Sequence, residues 1–180
     1  LLMAKATDKP GREEVRDHAW IDSLPRPITG ARIFVDPAGS DPQDAAATWA
    51  VATQLTAEIQ MAGARALLSR SVDTAPSERL RAGRANRHDV QVVISITIPS
   101  DGAEGVFYFG TSLSTSEAGR TIAVHLARHL SLEPLPRAMP LLKETRSPAV
   151  VIAVSDPQPE LGSAIGRAVV DLYAVGPDED

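Results

Sequence analysis

The sequence predicts a single α/β domain: a central, mainly parallel twisted sheet of five or six strands flanked by helices. Three observations carry the prediction. Residues 90–98 (VQVVISITI) and 148–154 (PAVVIAV) are β-branched on both faces, as strands buried on both sides must be. Helical stripes alternate with such runs along the chain. The composition is that of a globular protein, with 43% hydrophobic and 23% charged residues. With only 4% aromatics, the core has to be built mainly from Ala, Val, Leu and Ile.

The elements follow in order. Residues 1–29 hold few apolar side chains and several breakers (Pro10, Gly11, Pro25, Pro27), and read as a leader or linker. Within it, the patch Trp20, Ile21 and Leu24 can dock onto the domain, which spans residues 30–175. ARIFVD (31–36) is a short strand before Pro37. In residues 44–62, Trp49, Ala52, Leu55, Ile59 and Ala62 recur in steps of three and four and lay one stripe along a helix, which Gly63 ends. A strand at 64–69 follows. Ser77 can cap a helix over 77–87, with Glu78 in its favourable first turn. Then come the strand at 90–98, a strand at 105–110 (GVFYFG) between glycines, and a helix at 116–131 capped by Thr115 or Ser116. The strand at 148–154 and a helix at 159–174 complete the domain, and residues 176–180 form an acidic tail. The opening residue is Leu, as in a fragment or a processed product.

Composition also excludes function classes. A net charge of −5, with no block of Lys or Arg, speaks against a nucleic-acid groove. The absence of cysteine removes disulfides, thiolate metal sites and cysteine nucleophiles. Apolar stretches fall short of the roughly 20 residues of a membrane span.

Few residues stand out as chemistry. His125 and His129 lie four apart on a helix and share a face, the spacing of two metal-binding imidazoles, but HLARH offers no third ligand between them. They read first as surface or rim histidines. His88 reads as a loop residue, and His18 lies in the leader. GTSLSTSEAG lacks the lysine and the glycine spacing of a phosphate loop. No serine sits in a G-x-S-x-G elbow. Asp36 is the best-placed carboxylate, because ligands of open α/β sheets gather at strand carboxyl ends; a lone Asp there can equally cap a loop. Ser40 and Asp41, next along, are the other candidate binding residues.

Six segments in order nevertheless resemble one family, the zinc-dependent N-acetylmuramoyl-L-alanine amidases, which cut the amide joining glycan to stem peptide in peptidoglycan. IFVDP (33–37) is similar to the family's first strand and its Asp-Pro. GARALLSRSVD (63–73) is similar to "G-x-x-V-x-L-T-R-x-x-D", and SERLRAGRAN (77–86) to "L-x-x-R-x-x-x-A-N". VVISI (92–96) resembles the strand carrying "S-I-H-A-N", and GVFYFG the "G-x-x-x-Y-Y" segment. LLKETRSPAVVIAV (141–154) resembles "V-L-R-E-T-x-x-P-A-V-L-V-E".

The resemblance implies a zinc pocket, and its reactive residues do not carry over. Gly39 stands at the family's first His, Thr97 at its second His, and Ala153 at its catalytic Glu. Asp44 aligns with the ligand Glu. Glycine and alanine side chains have no donor atom, and a threonine hydroxyl is a poor zinc ligand beside imidazole. The expectation is therefore a relic pocket of Gly39, Asp44, Thr97 and Ala153, without zinc or other cofactor and without a catalytic residue. Such a domain would be a pseudoenzyme in peptidoglycan metabolism, binding a protein partner or a peptidoglycan fragment (a muropeptide). Actinobacteria have cytoplasmic amidase-like regulators of this kind, which places a cytoplasmic location slightly ahead of the cell envelope. The alternatives are an active amidase with relocated ligands, His125 and His129 first among them, and a structural envelope domain.

Overall fold

Within residues 90–98, read as the strongest strand, Val92–Thr97 form one of the two central strands of a six-stranded sheet. The structure, a computed structural model, describes residues 12–72 and 74–177, with side chains from residue 17 onward. In chain order the first half comprises α1 (Arg12–Asp22), β1 (Arg32–Pro37), α2 (Pro42–Met61), β2 (Arg65–Leu68), α3 (Glu78–Arg87) and β3 (Val92–Thr97). The second half comprises β4 (Gly105–Phe109), α4 (Glu117–Leu130), β5 (Pro134–Arg137), α5 (Pro140–Glu144), β6 (Ala149–Ala153) and α6 (Glu160–Val175). The result is a single α/β domain with a mostly parallel sheet flanked by helices.

The strand order is β2-β1-β3-β6-β4-β5. The first four strands of that order are mutually parallel. β4 runs antiparallel to β6 and carries β5 parallel on its outer side. Alternation along each strand sends side chains to two cores. Ile33, Val35, Ile94, Ile96, Val150 and Ile152 pack with α2, α4 and α6. Phe34, Val93, Phe107 and Val151 pack on the opposite face with α3 and α5. Each fully buried side chain of this size contributes about 1.5–3 kcal/mol.

Helices α2 and α6 cross at close range, and glycines make the approach possible. A Cβ on Gly162 would collide with the carbonyl of Val51, and one on Gly166 with Glu58 Cβ. Ser77 and Ser116 cap α3 and α4 through their side chains, as expected. Asp41 caps α2, accepting from the amides of Gln43 and Asp44, with Pro42 at the first helical position.

Three elements differ from the sequence expectation. Part of the segment read as a leader is the helix α1, and Trp20 is 9% exposed, edge-on to Tyr173 at 6.4 Å. The Trp20 patch therefore does dock, and it brings a helix with it. Residues 1–11 of that segment and 178–180 of the acidic tail lie outside the described residues. β5 and α5 were not expected at all, because β5 (PLPR) is half proline and α5 spans little more than one turn. Proline is tolerated in β5 because that strand closes the sheet at one edge. Among the described residues, no helix is long and apolar enough to cross a membrane.

Candidate functional site

The carboxyl ends of β1, β3 and β6 open into a cleft of about 560 Å³ on the α3/α5 face. Gly39, Asp44, Thr97 and Ala153 all line it. Thr97 and Ala153 are direct neighbours in the β3–β6 register, which sets them side by side on the floor. Gly39 and Ser40 belong to the short turn from β1 into α2, and Asp44 to the first turn of α2. Burial, and then the neighbouring Asp41 carboxylate, holds Asp44 above the ordinary carboxylate range.

The turn that carries Gly39 is held from below. The Arg70 guanidinium donates to the carbonyls of Pro37 and Ala45, each at 2.7 Å, and to those of Ser71 and Val72 at 3.1 Å. It also lies 5.3 Å from the centre of the Trp49 ring. Burial pulls the Arg70 pKa down from its ordinary value. Four carbonyls thus converge on one cation, which leaves the β1–α2 turn little freedom.

Of the three candidate binding residues, only Ser40 lines the cleft. Asp36 is fully buried beneath it, where it pairs with the Arg81 guanidinium and accepts from Ser95 Oγ at 2.7 Å. Its second oxygen, Oδ1, is buried without a hydrogen-bond partner. Asp41 serves as the cap of α2. Both carboxylates thus have structural work in the fold.

Several lining residues were not visible in the sequence. Arg81 of α3 reaches the cleft from the Asp36 pair, and Arg137 of β5 enters from the other side. Arg137 lies 4.0 Å from the Phe107 ring centre and 3.5 Å from Asp101 Oδ2. Glu78 also lines the cleft and accepts from the Leu141 amide at 3.0 Å, tying α3 to α5. The lining therefore offers two guanidinium groups, three carboxylates (Asp44, Glu78, Asp101) and the hydroxyls of Ser40, Ser77, Thr97 and Ser100. Among the described residues it contains no imidazole, and the chain has no cysteine.

The histidines lie elsewhere. His88 is the exposed C-cap of α3, and His18 is exposed on α1. His125 is not a surface histidine: it is 1% exposed, packed between α4 and α6 on the opposite face of the sheet. Among the described residues, the one cluster with metal-compatible geometry is His125, His129 and Asp171.

No family model matches the chain, and no curated protein matches it in sequence. Solved structures do match. The N-acetylmuramyl-L-alanine amidase of Mycobacterium smegmatis superposes with a TM-score of 0.66 at 19% identity, covering 81% of this chain and 95% of that one. The amidase of Clostridium difficile 630 gives 0.63 at 19%, covering 80% and 97%. That of Nostoc punctiforme gives 0.62 at 13%, covering 81% and 96%. Across described residues, then, this chain has the fold of the N-acetylmuramoyl-L-alanine amidases.

Proposed function

We propose that this chain is a non-catalytic relative of the peptidoglycan amidases, whose cleft binds a peptidoglycan fragment or a peptide of a protein partner in cell-wall metabolism. The observation that carries the reading is the meeting of Gly39, Asp44, Thr97 and Ala153 in one cleft. The resemblance assigns those four positions to zinc ligands and catalytic base, and three of them offer no strong ligand or base. The fold likeness supports the assignment of the face, and the side chains at these positions speak against the chemistry.

Zinc does not fit this cleft. A catalytic ion takes three strong donors and keeps one position open for water. The carboxylates of Asp44, Glu78 and Asp101 come from separate elements and do not converge, and Glu78 already accepts a backbone amide. Gly39 adds a steric reason: a Cβ there would sit 2.6 Å from Ala45 N and Cα. No larger side chain enters that turn while Arg70 holds it in place.

What remains suits binding. Arg81 and Arg137 offer planar donors to carboxylates, and Asp44 offers an acceptor to an ammonium group. A stem peptide carries both kinds of group, which favours a peptide-bearing ligand over a neutral glycan. The test pairs calorimetry on defined muropeptides with an assay for stem-peptide release from peptidoglycan. Binding without release is expected, weakened about tenfold by Arg137→Ala as one charge-assisted contact is lost. Zinc-dependent release of stem peptide would overturn the non-catalytic reading.

A further inference from the structure

We propose that His125, His129 and Asp171 form a zinc site that clips α4 to α6, on the face of the sheet opposite the cleft. His125 and His129 lie one turn apart on α4, with ring centres 4.4 Å apart, and Asp171 comes from α6. Asp171 Oδ2 is 3.5 Å from His125 Nε2 and 3.4 Å from His129 Nε2. Ligands at about 2.1 Å around a tetrahedral ion are separated by about 3.4 Å, so these spacings are those of a metal's coordination shell. One ligand atom from each residue lies within 4.8 Å of the others.

Hydrogen bonding around the cluster orients one ring for metal. His129 Nδ1 is 2.9 Å from the His125 carbonyl, and a carbonyl only accepts, so the ring proton sits on Nδ1. Nε2 of the same ring faces Asp171 Oδ2. A ligand histidine held through its other nitrogen by a backbone carbonyl is the usual arrangement of protein metal sites. A metal ion or a proton between Nε2 and Oδ2 satisfies a contact of this length. His125 Nε2 donates to the Ala168 carbonyl at 3.0 Å in the metal-free molecule. Binding an ion through Nε2 would move that proton to Nδ1 of the same ring and turn the ring so that its lone pair leaves the Ala168 carbonyl.

Two imidazoles and one carboxylate form a donor set that suits zinc. His125 is buried, whereas the side chains of His129 and Asp171 are 38% and 44% exposed, so the site opens to solvent on one side and water completes the shell. The sequence showed two of the three residues and not the third, because Asp171 lies 42 residues beyond His129. The cluster is independent of the cleft, so zinc found on the protein says nothing of hydrolysis there.

The experiment uses the untagged chain, calorimetric titration with zinc, and elemental analysis after gel filtration. One zinc per chain is expected, together with a rise in melting temperature on adding zinc. His129→Ala and Asp171→Asn, both at half-exposed positions that leave the buried core intact, are each expected to weaken binding at least about tenfold and to abolish the rise. Asp44→Ala in the cleft is expected to change neither. Cobalt bound to the wild type gives the intense visible bands of a tetrahedral ion, and these are expected to vanish in Asp171→Asn. Zinc binding that survives both variants, or no binding at millimolar zinc, would overturn the proposal.

Discussion

Gly39 packs so closely on Ala45 that a Cβ at position 39 would lie 2.6 Å from Ala45 N and Cα. Both atoms are backbone, in the first turn of α2, so no rotamer change relieves the overlap. Either the turn moves or the helix does, and Arg70 binds carbonyls on both sides of the contact. Gly39→Ala is therefore expected to destabilise the domain by about 1–3 kcal/mol. Urea denaturation of the two proteins measures it. Gly39→His is expected to cost more and to bring no zinc into the cleft.

Buried charge beneath the cleft leads to a second prediction. Asp36 has no exposure and the Arg81 side chain only 9%, so neither charge is solvated by water. Removing the cation by Arg81→Ala is expected to cost about 3–5 kcal/mol, because it strands a buried carboxylate. Asp36→Asn in the same chain should recover part of the loss, a coupling that a double-mutant cycle reads directly. If the single and double variants were equally unstable, Arg81 would be acting only through packing.

A third prediction concerns α1. Asp17 Oδ2 accepts from Ser116 Oγ at 2.8 Å and from the Ala118 amide at 3.2 Å, so a carboxylate from α1 completes the N-terminus of α4. Its negative charge also complements the helix dipole there. Asp17→Ala is expected to cost about 1 kcal/mol. Hydrogen exchange should speed up at the Ala118 and Gly119 amides while the end of α4 is unaffected. Unchanged exchange at both amides would mean that α1 contributes nothing to the cap.

How much of this was legible follows from where each signal lies. Residues 92–97 and 149–153 could be read because burial on both faces demands β-branched residues in unbroken runs. Ser77 and Ser116 could be read because capping is a contact across three residues. β5 could not, since Pro134 and Pro136 look like a loop and are accommodated only because the strand lies at a sheet edge. That Gly39, Asp44, Thr97 and Ala153 would meet in one cleft was legible from motif order. The partners that give the cleft its charge were not: Arg81 is tied to Asp36 across 45 residues and Arg137 to Asp101 across 36. Such contacts exist only once the sheet has brought the ends of its strands together.

The last prediction uses Asp101, which lines the cleft. Its carboxyl is held below the ordinary value of 3.8, first by the hydrogen bond from the Ala103 amide and in smaller part by Arg137, against an opposing desolvation. A depressed carboxyl pKa stabilises the fold above the unfolded value, and the contribution is lost as pH falls through the lower folded value. The Ala103 amide, 3.0 Å from Oδ1, is therefore expected to shift in an NMR titration with a midpoint below 3.8. Asp101→Asn removes that titration and releases Arg137 from its partner. A carboxylate-bearing muropeptide no longer has to displace Asp101 from the guanidinium, so at neutral pH the variant is expected to bind it more tightly than wild type. A midpoint at or above 3.8 would show that the Ala103 bond does not hold in solution. Weaker binding by the variant would show that Asp101 itself contacts the ligand, through its ammonium group.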